Sequence, residues 1–345
     1  MTTRCVAPSK LILCGEHAVL YGTPALSMAI DLETHCTLDR FKHSANPSGH
    51  FEITLADFDQ RQKFSFQQWQ ALSETIKKRF QSFSKGEIVI REVLKSPFDL
   101  ILITLYLLHQ IEPIESADWQ LKIESDAPIG RGLGSSAAVI LAVLKAVQTQ
   151  QTTKLDDTAL LDLAAQIEAY QHGRSSGIDP ATILKGGLLK YQMDNPIEAL
   201  DPHPFKAWLI DTGKPSSATG ECVEWVKRHF QNDTQLWQTF TQTTAEIEQA
   251  WLQQDFAQLQ QAIRFNHQLL CRIGVVPKSV QSFIQSLETQ FNAAVKVCGA
   301  GSIKGDRAGV LLCLSIDSPY EFCEAHGYHT QALKIQTQGI RCELA

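Results

Sequence analysis

The segment Ala127–Ala138, with the sequence APIGRGLGSSAA, combines three alternating glycines with two serines and the first residues of a helix. Glycine permits positive φ and lets the main chain approach a ligand closely. Apolar residues recur at helical spacing from Ala137 onward, so the loop leads into a helix N-terminus. Free N–H groups and the helix dipole at such an end hold anions, typically phosphates. The segment therefore predicts a phosphate-binding loop.

Two common phosphate loops do not fit this pattern. No Gly-Lys-Ser/Thr follows, as a Walker loop requires, and the spacing differs from that of a dinucleotide-binding loop. A glycine-rich turn without a ligand is the simpler alternative. Ser135 and Ser136 argue against it, because they place hydroxyl groups able to bind a metal where a phosphate would lie.

The segment Glu168–Asp179, with the sequence EAYQHGRSSGID, offers two carboxylates in different local settings. Glu168 lies in the last turns of a predicted helix, whereas Asp179 follows a Ser-Gly turn. One carboxylate suits Mg²⁺ binding, and the other suits orienting or deprotonating an attacking hydroxyl. The structural alternatives are a solvated helix position for Glu168 and a helix N-cap before Pro180 for Asp179.

Two further segments carry candidate site residues: charged side chains in one and a glycine turn in the other. The N-terminal run 7–22, APSKLILCGEHAVLYG, places Lys10, Glu16 and His17 within one short strand and turn. Near the other end, Lys296–Ser302, KVCGAGS, is a predicted strand that runs into a second glycine turn. Each segment alone is a weak indication, because single lysines and histidines are commonly structural and glycine turns between strands are frequent.

Composition limits the class of protein. The chain has 345 residues, of which 44% are hydrophobic and 20% charged, as in globular proteins with room for two domains. A net charge of −6 argues against nucleic-acid binding but allows a local basic pocket for a small polyanion. The N-terminus shows no signal peptide, and the longest apolar stretch, 100–108, is too short to span a bilayer. We therefore expect a cytoplasmic protein that binds no membrane.

The nine cysteines are scattered, odd in number and without a C-x-x-C pair. This distribution predicts neither a zinc site nor a disulfide framework. Most of them lie in apolar runs, as Cys313 does, which favours buried free thiols in a reducing compartment.

Hydrophobic periodicity and turn residues predict a mixed order of strands and helices. Strands are expected at residues 11–14, 51–55, 87–90, 119–124, 206–210, 295–298 and 308–314. Helices are expected at 97–111, from 137 onward, from Asp156 or Asp157 to near Gly173, across 221–290 and at 319–326. The proline-rich segment 194–204 marks a plausible domain boundary.

The four segments together resemble the GHMP kinases, a superfamily of small-molecule kinases. The shared features are, in order, Pro-x-Lys and Gly-Glu-His near the N-terminus, a central GLGSSAA and a late Gly-Ala-Gly. The resemblance implies an α+β fold of two domains. Residues 1–192 would form an N-terminal domain like domain 2 of ribosomal protein S5. Residues 193–345 would form a ferredoxin-like α/β sandwich, with the last strand free to return to the first domain.

Within the superfamily, GEHAVLYG at 15–22 and HGRSSGID at 172–179 are similar to the branch that phosphorylates mevalonate for isoprenoid synthesis. By this resemblance, Asp179 is the catalytic carboxylate at the substrate hydroxyl, and Lys10 lies beside that hydroxyl. Ser136 and Glu168 would bind Mg²⁺, and the substrate pocket would include Glu16, His17 and Ser216. The residues expected around ATP are Pro128, Ile129, Gly130, Arg131, Gly132, Leu133, Gly134, Ser135, Ser136, Ala137, Ala138, Gly299, Ala300 and Gly301.

The chain departs from the family pattern in two loops. Residues 302–309, SIKGDRAG, replace a longer glycine run, so either Lys304 or Arg307 adds a phosphate contact or the loop is simply longer. Ser216–Thr219 stands where the family tends to place Arg followed by Ser/Thr-Thr. Two classes of alternative stay open. One is another enzyme of the superfamily, either a homoserine kinase, whose family lacks the HG-x-x-SGID element, or a mevalonate-pathway kinase with a shifted substrate. The other is a nucleotide-binding regulator without catalysis. Dimers are common in the superfamily, and the sequence is compatible with a homodimer.

Overall fold

The strands lie in two sheets in the computed structural model, which describes residues 1–41, 49–152 and 154–344. The larger sheet contains β1 (Thr2–Cys14), β2 (Ala25–Phe41), β3 (His50–Leu55), β4 (Gln60–Ser65), β5 (Asp118–Ser125), β6 (Leu188–Tyr191), β7 (Glu198–Leu200) and β12 (Arg341–Leu344). The smaller sheet contains β8 (Ala207–Asp211), β9 (Ala294–Val297), β10 (Val310–Leu314) and β11 (His329–Ala332). Their orders are β12-β1-β2-β5-β3-β4, with β6 beside β2 and β7 beside β6, and β11-β8-β10-β9.

The helices cover both sheets and supply the core. They are α1 (Phe66–Ser84), α2 (Asp99–Ile111), α3 (Ser135–Thr149), α4 (Asp157–His172), α5 (Ile178–Lys185), α6 (Thr219–Phe230), α7 (Thr234–Leu252), α8 (Phe256–Arg272), α9 (Lys278–Phe291) and α10 (Tyr320–Ala325). Helices α2, α3 and α4 pack in one apolar cluster with β3 and β5. Helices α7, α8 and α9 share another with β9 and β10. Among the described residues, none of these helices combines the length and apolar character that a bilayer crossing requires.

The glycine loop lies between an alternating strand and a buried helix, as its sequence predicts. In β5, Trp119, Leu121 and Ile123 are buried while the residues between them are exposed, which is the period of two of a half-buried strand. After the loop, α3 is buried along most of its length and packs on β1 and β2. The loop is therefore held at both ends by elements of the same core.

Most of the expected elements are confirmed, and one strand is wrong. Residues 87–90 do not form a strand, and a short 3-10 helix occupies Ile90–Glu92. The Val89 N–H donates to the Glu92 carboxylate at 3.1 Å, so local capping replaces a strand partner. The expected strand 11–14 is the end of the longer β1, which continues through Pro8 with a register shift between Pro8 and Ser9.

The prediction that the cysteines are free thiols is wrong for one pair. Cys5 and Cys342 form a disulfide across 337 residues of sequence. The cause is the pairing of β12 with β1, which sets these two residues opposite each other with their Cα atoms 4.1 Å apart. The other seven cysteines are free, and all but Cys271 are buried.

We propose that the chain divides into two domains that follow the two sheets. The division at residues 192 and 193 stays a prediction. Strand β7, beyond that point, still pairs with β6 of the larger sheet, and the smaller sheet begins with β8. These pairings favour a boundary within 201–206. At the end of the chain, β12 pairs with β1 of the larger sheet.

Candidate active site

A cleft of about 840 Å³ lies between the larger sheet's glycine loop and the loops of the smaller sheet. Its wall includes residues from both ends of the chain and from its middle. Among the expected site residues, those that line it are Lys10, Glu16, His17, Ile129, Gly130, Arg131, Gly132, Gly134, Ser135, Ser136, Glu168, Asp179, Ser216, Gly299, Ala300 and Gly301. Pro128 and Leu133 instead line a second cavity of about 520 Å³ beside the loop. Ala137 and Ala138 are buried in α3.

The two glycine turns pack against each other at the base of the cleft. Gly132 has φ 89°, and a Cβ there would lie 2.6 Å from the Cys298 carbonyl oxygen. A Cβ on Gly134 would lie 2.7 Å from Cγ of Lys10. Gly134 also caps α3 with φ 72° and no side-chain hydrogen bond. Glycine is required here because the backbone conformation is left-handed and the neighbours leave no room. The first N–H groups of α3 are left for a ligand.

Lys10 connects the glycine loop to Asp179. Its Nζ lies 3.1 Å from Asp179 Oδ1 and donates to the Gly132 carbonyl oxygen at 3.1 Å. Its backbone N–H donates to the Leu133 carbonyl oxygen at 3.0 Å, so the edge of β1 is bonded to the loop itself. The Lys10 side chain is 4% exposed and that of Asp179 is 23% exposed, so solvent screens this ion pair little.

Asp179 lies inside the first turn of α5, and Gly177 is the N-cap residue with φ 81°. The alternative that Asp179 is the N-cap is therefore wrong. A carboxylate in the first turn of a helix is stabilised by the helix dipole. The fold thus presents the Asp179 side chain to the cleft, paired with Lys10.

Glu168 and Ser136 both line the cleft. Glu168 is buried in α4, and the Ser175 hydroxyl donates to its carboxylate at 2.6 Å. Burial, together with the nearby charge of Asp179, raises the pKa of Glu168 to about 8. Ser136 Oγ lies 3.4 Å from His172 Nε2.

This donor set fits Mg²⁺. Two carboxylates, Glu168 and Asp179, share the cleft with Lys10, and the buried Glu168 carboxylate is costly to ionise without a further cation. Mg²⁺ is typically held by one or two carboxylates, a hydroxyl and substrate phosphates, which leaves the rest of its shell to ATP and water. Glu168 and Ser136 are the residues of this chain that would hold it.

Glu16 and His17 line the cleft, but residues of the smaller sheet's side bind their polar atoms. Glu16 forms a buried ion pair with Lys296. Burial raises the pKa of Glu16, and the Lys296 ammonium opposes that shift. His17 has φ 58°, and its Nε2 donates to the Ala300 carbonyl oxygen at 3.0 Å. Burial lowers the pKa of His17 to about 4, so the imidazole is neutral near pH 7. That these residues contact a substrate stays a prediction.

Only part of the loop 302–309, which follows the second glycine turn, lines the cleft. Lys304 lines the cleft and lies 3.4 Å from a Glu221 carboxylate oxygen. Arg307 does not line it, because its side chain packs over Gly213, where a Cβ would be 2.5 Å away. The expectation of a phosphate contact from Arg307 is therefore not supported by its position. Ser216 lines the cleft beside Gly305.

Sequence reasoning missed the roles of three residues in this region: Lys296, His172 and Ser175. Lys296 is wholly buried in β9, whose residues are all buried. A lysine within the apolar run AVKV was the available signal, because lysine is almost never fully buried unless paired. His172 and Ser175 lie in the recognised HGRSSGID segment, but their contacts with Ser136 and Glu168 needed the fold.

Comparison with known proteins finds relatives in sequence and in fold. Residues 99–187 match the family model of the GHMP kinases N-terminal domain. The chain is 28% identical to a mevalonate kinase of Thermococcus onnurineus, over 98% of this chain and 97% of that protein. It superposes on the Methanococcus jannaschii mevalonate kinase with a TM-score of 0.74 at 21% identity, covering 96% of this chain and 98% of the other. It also superposes on Lactococcus lactis galactokinase complexed with galactose, with a TM-score of 0.76 at 12% identity and coverage of 99% and 95%.

The fold, the glycine loop and the cleft define a small-molecule kinase that uses ATP. The chain is similar to GHMP kinases, through the N-terminal domain model at residues 99–187 and through mevalonate kinases of 28% identity over nearly its whole length. The comparable fit to a galactokinase means that the fold alone does not select the substrate.

Proposed function

We propose that this chain transfers the γ-phosphoryl group of ATP to the 5-hydroxyl of mevalonate. The observation that carries the reaction type is the Lys10–Asp179 ion pair, bonded through Lys10 to the glycine loop. The substrate is supported by similarity to a mevalonate kinase over nearly the whole chain, including the segment 172–179.

Phosphoryl transfer depends mainly on positioning and on neutralising charge, and the cleft residues supply both. Asp179 would orient the attacking hydroxyl and accept its proton. Lys10 would stabilise the negative charge that develops on that oxygen, since its ammonium already lies 3.1 Å from Asp179 Oδ1. The N-terminus of α3 and the glycine turns around 130–134 and 299–301 would hold the triphosphate.

We further propose that Ser136 and Glu168 would hold a Mg²⁺ ion, which would neutralise negative charge on the ATP phosphates. Ser175 keeps the Glu168 carboxylate oriented, and His172 contacts the Ser136 hydroxyl. These two contacts hold the ligands in place before the nucleotide arrives.

The test is an ADP-release assay with a panel of acceptors: mevalonate, homoserine, galactose and phosphomevalonate. We expect turnover with mevalonate, and Asp179→Asn should lower kcat by about 10²–10⁴-fold, the usual contribution of a general base. Turnover of another acceptor in place of mevalonate would contradict the substrate. Full activity of the Asp179→Asn variant would contradict the role of Asp179. ATP binding without turnover of any acceptor would favour a non-catalytic regulator.

A further inference from the structure

Lys296 is the most deeply buried charge in the described part of the chain that the proposed chemistry does not use. It is 0% exposed and lies in β9, three residues before the second glycine turn. Its ammonium donates to the Ile12 carbonyl oxygen at 3.1 Å and to Oε1 of Glu16. Both partners belong to β1 and the turn after it, about 280 residues away in sequence. A buried charge with such distant partners joins two parts of the fold at one point.

Glu16 has a second carboxylate oxygen that the pair does not use. Oε2 is buried and has no hydrogen-bond partner among the described residues, yet Glu16 lines the cleft. A buried carboxylate oxygen left unpaired costs free energy, so such groups normally have a partner. Because Glu16 lines the cleft, a substrate hydroxyl bound at that wall is a suitable donor.

The groups around the pair leave Lys296 as the main source of positive charge for Glu16. Burial raises the pKa of the Cys14 thiol to about 12 and that of the Cys298 thiol to about 11, so both are neutral. Burial lowers the pKa of His267, on α8, to about 4. Lys10 also acts on Glu16, more weakly than Lys296. Burial disfavours the Lys296 ammonium, but the Glu16 carboxylate outweighs this and raises its pKa.

A second contact runs parallel to the ion pair. The residue after Glu16, His17, has a left-handed backbone and donates to the Ala300 carbonyl oxygen within the second glycine turn. A non-glycine residue at positive φ is strained and is retained where surrounding contacts hold it. The turn 15–17 is therefore fixed at two adjacent residues by β9 and the loop that follows it.

We infer that Lys296 is a positioning residue of the phosphoryl-transfer site. Its ammonium fixes the Glu16 carboxylate in the cleft wall through Oε1, so that Oε2 is left as one oriented acceptor for a hydroxyl of the bound substrate. This inference rests on the proposed function for the identity of that substrate. Lys296 itself acts through Glu16 and touches no reacting atom.

The kinetic test compares Lys296→Met with the double variant Glu16→Gln/Lys296→Met. Methionine keeps the length of the side chain and removes its charge. We expect the KM for mevalonate to rise at least about tenfold in both variants, as loss of one oriented hydrogen bond to a charged group predicts, with a smaller change in kcat. The double variant removes the unpaired buried charge and should recover thermal stability. Recovery of KM together with stability would show a merely structural role and overturn the inference, as would an unchanged KM in Lys296→Met.

A stability test needs no substrate. Without Lys296, the charge that opposes the effect of burial is lost, so the pKa of Glu16 in the folded state rises further above the ordinary glutamate pKa of 4.5 that applies in the unfolded chain. The folded state then binds more protons, so the stability deficit of Lys296→Met against the wild type should grow from pH 5 to pH 8. The double variant should show no such growth. A deficit independent of pH would overturn the inference.

Lys190→Met is the matched control. Lys190 forms an ion pair with Glu248 at 3.0 Å between β6 and α7, outside the cleft wall. Its loss should leave the KM for mevalonate within about twofold, since surface pairs contribute little. A tenfold rise in this control would make the effect of Lys296 nonspecific and overturn the inference. Failure of the wild type to phosphorylate mevalonate would instead refute the proposed function, and the pH test would still decide whether the Lys296 ammonium acts on the Glu16 carboxylate.

Discussion

Single residues in the cleft differ in how far their surroundings favour a charge. Glu168 is 3% exposed and bonded to Ser175, whereas the Asp179 side chain is 23% exposed and paired with Lys10. Two carboxylates with unlike surroundings can take unlike roles in one reaction. The lysine partner suits Asp179 to the acceptor hydroxyl, and the burial of Glu168 beside a neutral hydroxyl suits it to a metal ion.

Removing the charge of Glu168 tests its role in Mg²⁺ binding. In Glu168→Gln we expect the Mg²⁺ concentration for half-maximal activity to rise about 10- to 100-fold, because one carboxylate ligand is lost. Direct Mn²⁺ binding, followed by electron paramagnetic resonance in the presence of an ATP analogue, should weaken in parallel. Glu246→Gln, on α7 and outside the cleft wall, is the control. Wild-type metal dependence in Glu168→Gln would remove Glu168 from the metal site.

Buried histidines make the protein sensitive to acid. Burial lowers the pKa of both His17 and His267 to about 4. Between pH 6.5 and 4 the unfolded chain binds protons at these positions and the folded chain does not, so stability falls as pH falls. Denaturant unfolding at pH 7, 6 and 5 should show this loss, which amounts to a few kcal/mol at pH 4 since one pKa unit is about 1.4 kcal/mol. His267→Gln should flatten the profile, whereas replacement of the exposed His229 should not.

At the scale of elements, β1 and α3 form the phosphate side of the cleft. The first half of β1 pairs with β12, and Lys10 in its second half bonds to the glycine loop. The loop is thus an extension of the sheet edge and not a free lid. Its glycines are required by the close approach of Lys10 on one side and Cys298 on the other.

A methyl group at Gly132 should disrupt this packing. Gly132→Ala places Cβ 2.6 Å from the Cys298 carbonyl oxygen in a left-handed conformation, so the loop must move. We expect the KM for ATP to rise at least about tenfold, because misplaced binding groups lose most of their effect. Gly86→Ala is the control, since Gly86 has φ 76° but nothing within 4 Å of a Cβ. Equal effects of the two changes on the KM for ATP would show that backbone strain, and not the contact with Cys298, is responsible.

At the scale of the whole molecule, the two ends of the chain meet on the larger sheet. The disulfide Cys5–Cys342 holds β12 on β1, and Arg341 lies 2.7 Å from a Glu33 carboxylate oxygen. We expect reduction to lower the free energy of unfolding by about 2–4 kcal/mol, the usual contribution of a disulfide that closes a long loop. Guanidinium unfolding with and without reductant measures this. The Cys342→Ser variant should have the unfolding midpoint of the reduced protein, and reductant should not change that midpoint. An unaltered midpoint of the wild type on reduction would contradict the prediction.

The glycine loop, its helix and the residues Lys10, Glu168 and Asp179 were all predictable from local sequence. Their signals are contiguous: glycines before an apolar period, a helix cap at Asp156, a carboxylate after a Ser-Gly turn. Such patterns depend on the conformations of neighbouring residues, which the sequence displays directly. The strand expected at 87–90 is wrong, because a strand also needs a partner strand beside it, and these residues have none in the described structure.

The partners of these residues depended on tertiary structure. Glu16 meets Lys296, His17 meets Ala300 and Cys5 meets Cys342 only because strands and turns 280 to 337 residues apart are brought together. Arg307 lies over Gly213 for a similar reason, since the loops after β8 and before β10 pack together. Local sequence was enough to indicate a phosphate-binding loop, and the resemblance to the GHMP kinases indicated a kinase and the expected roles of its groups. Which groups hold one another in place was settled by the pairing of distant strands, a long-range contact that no local pattern encodes.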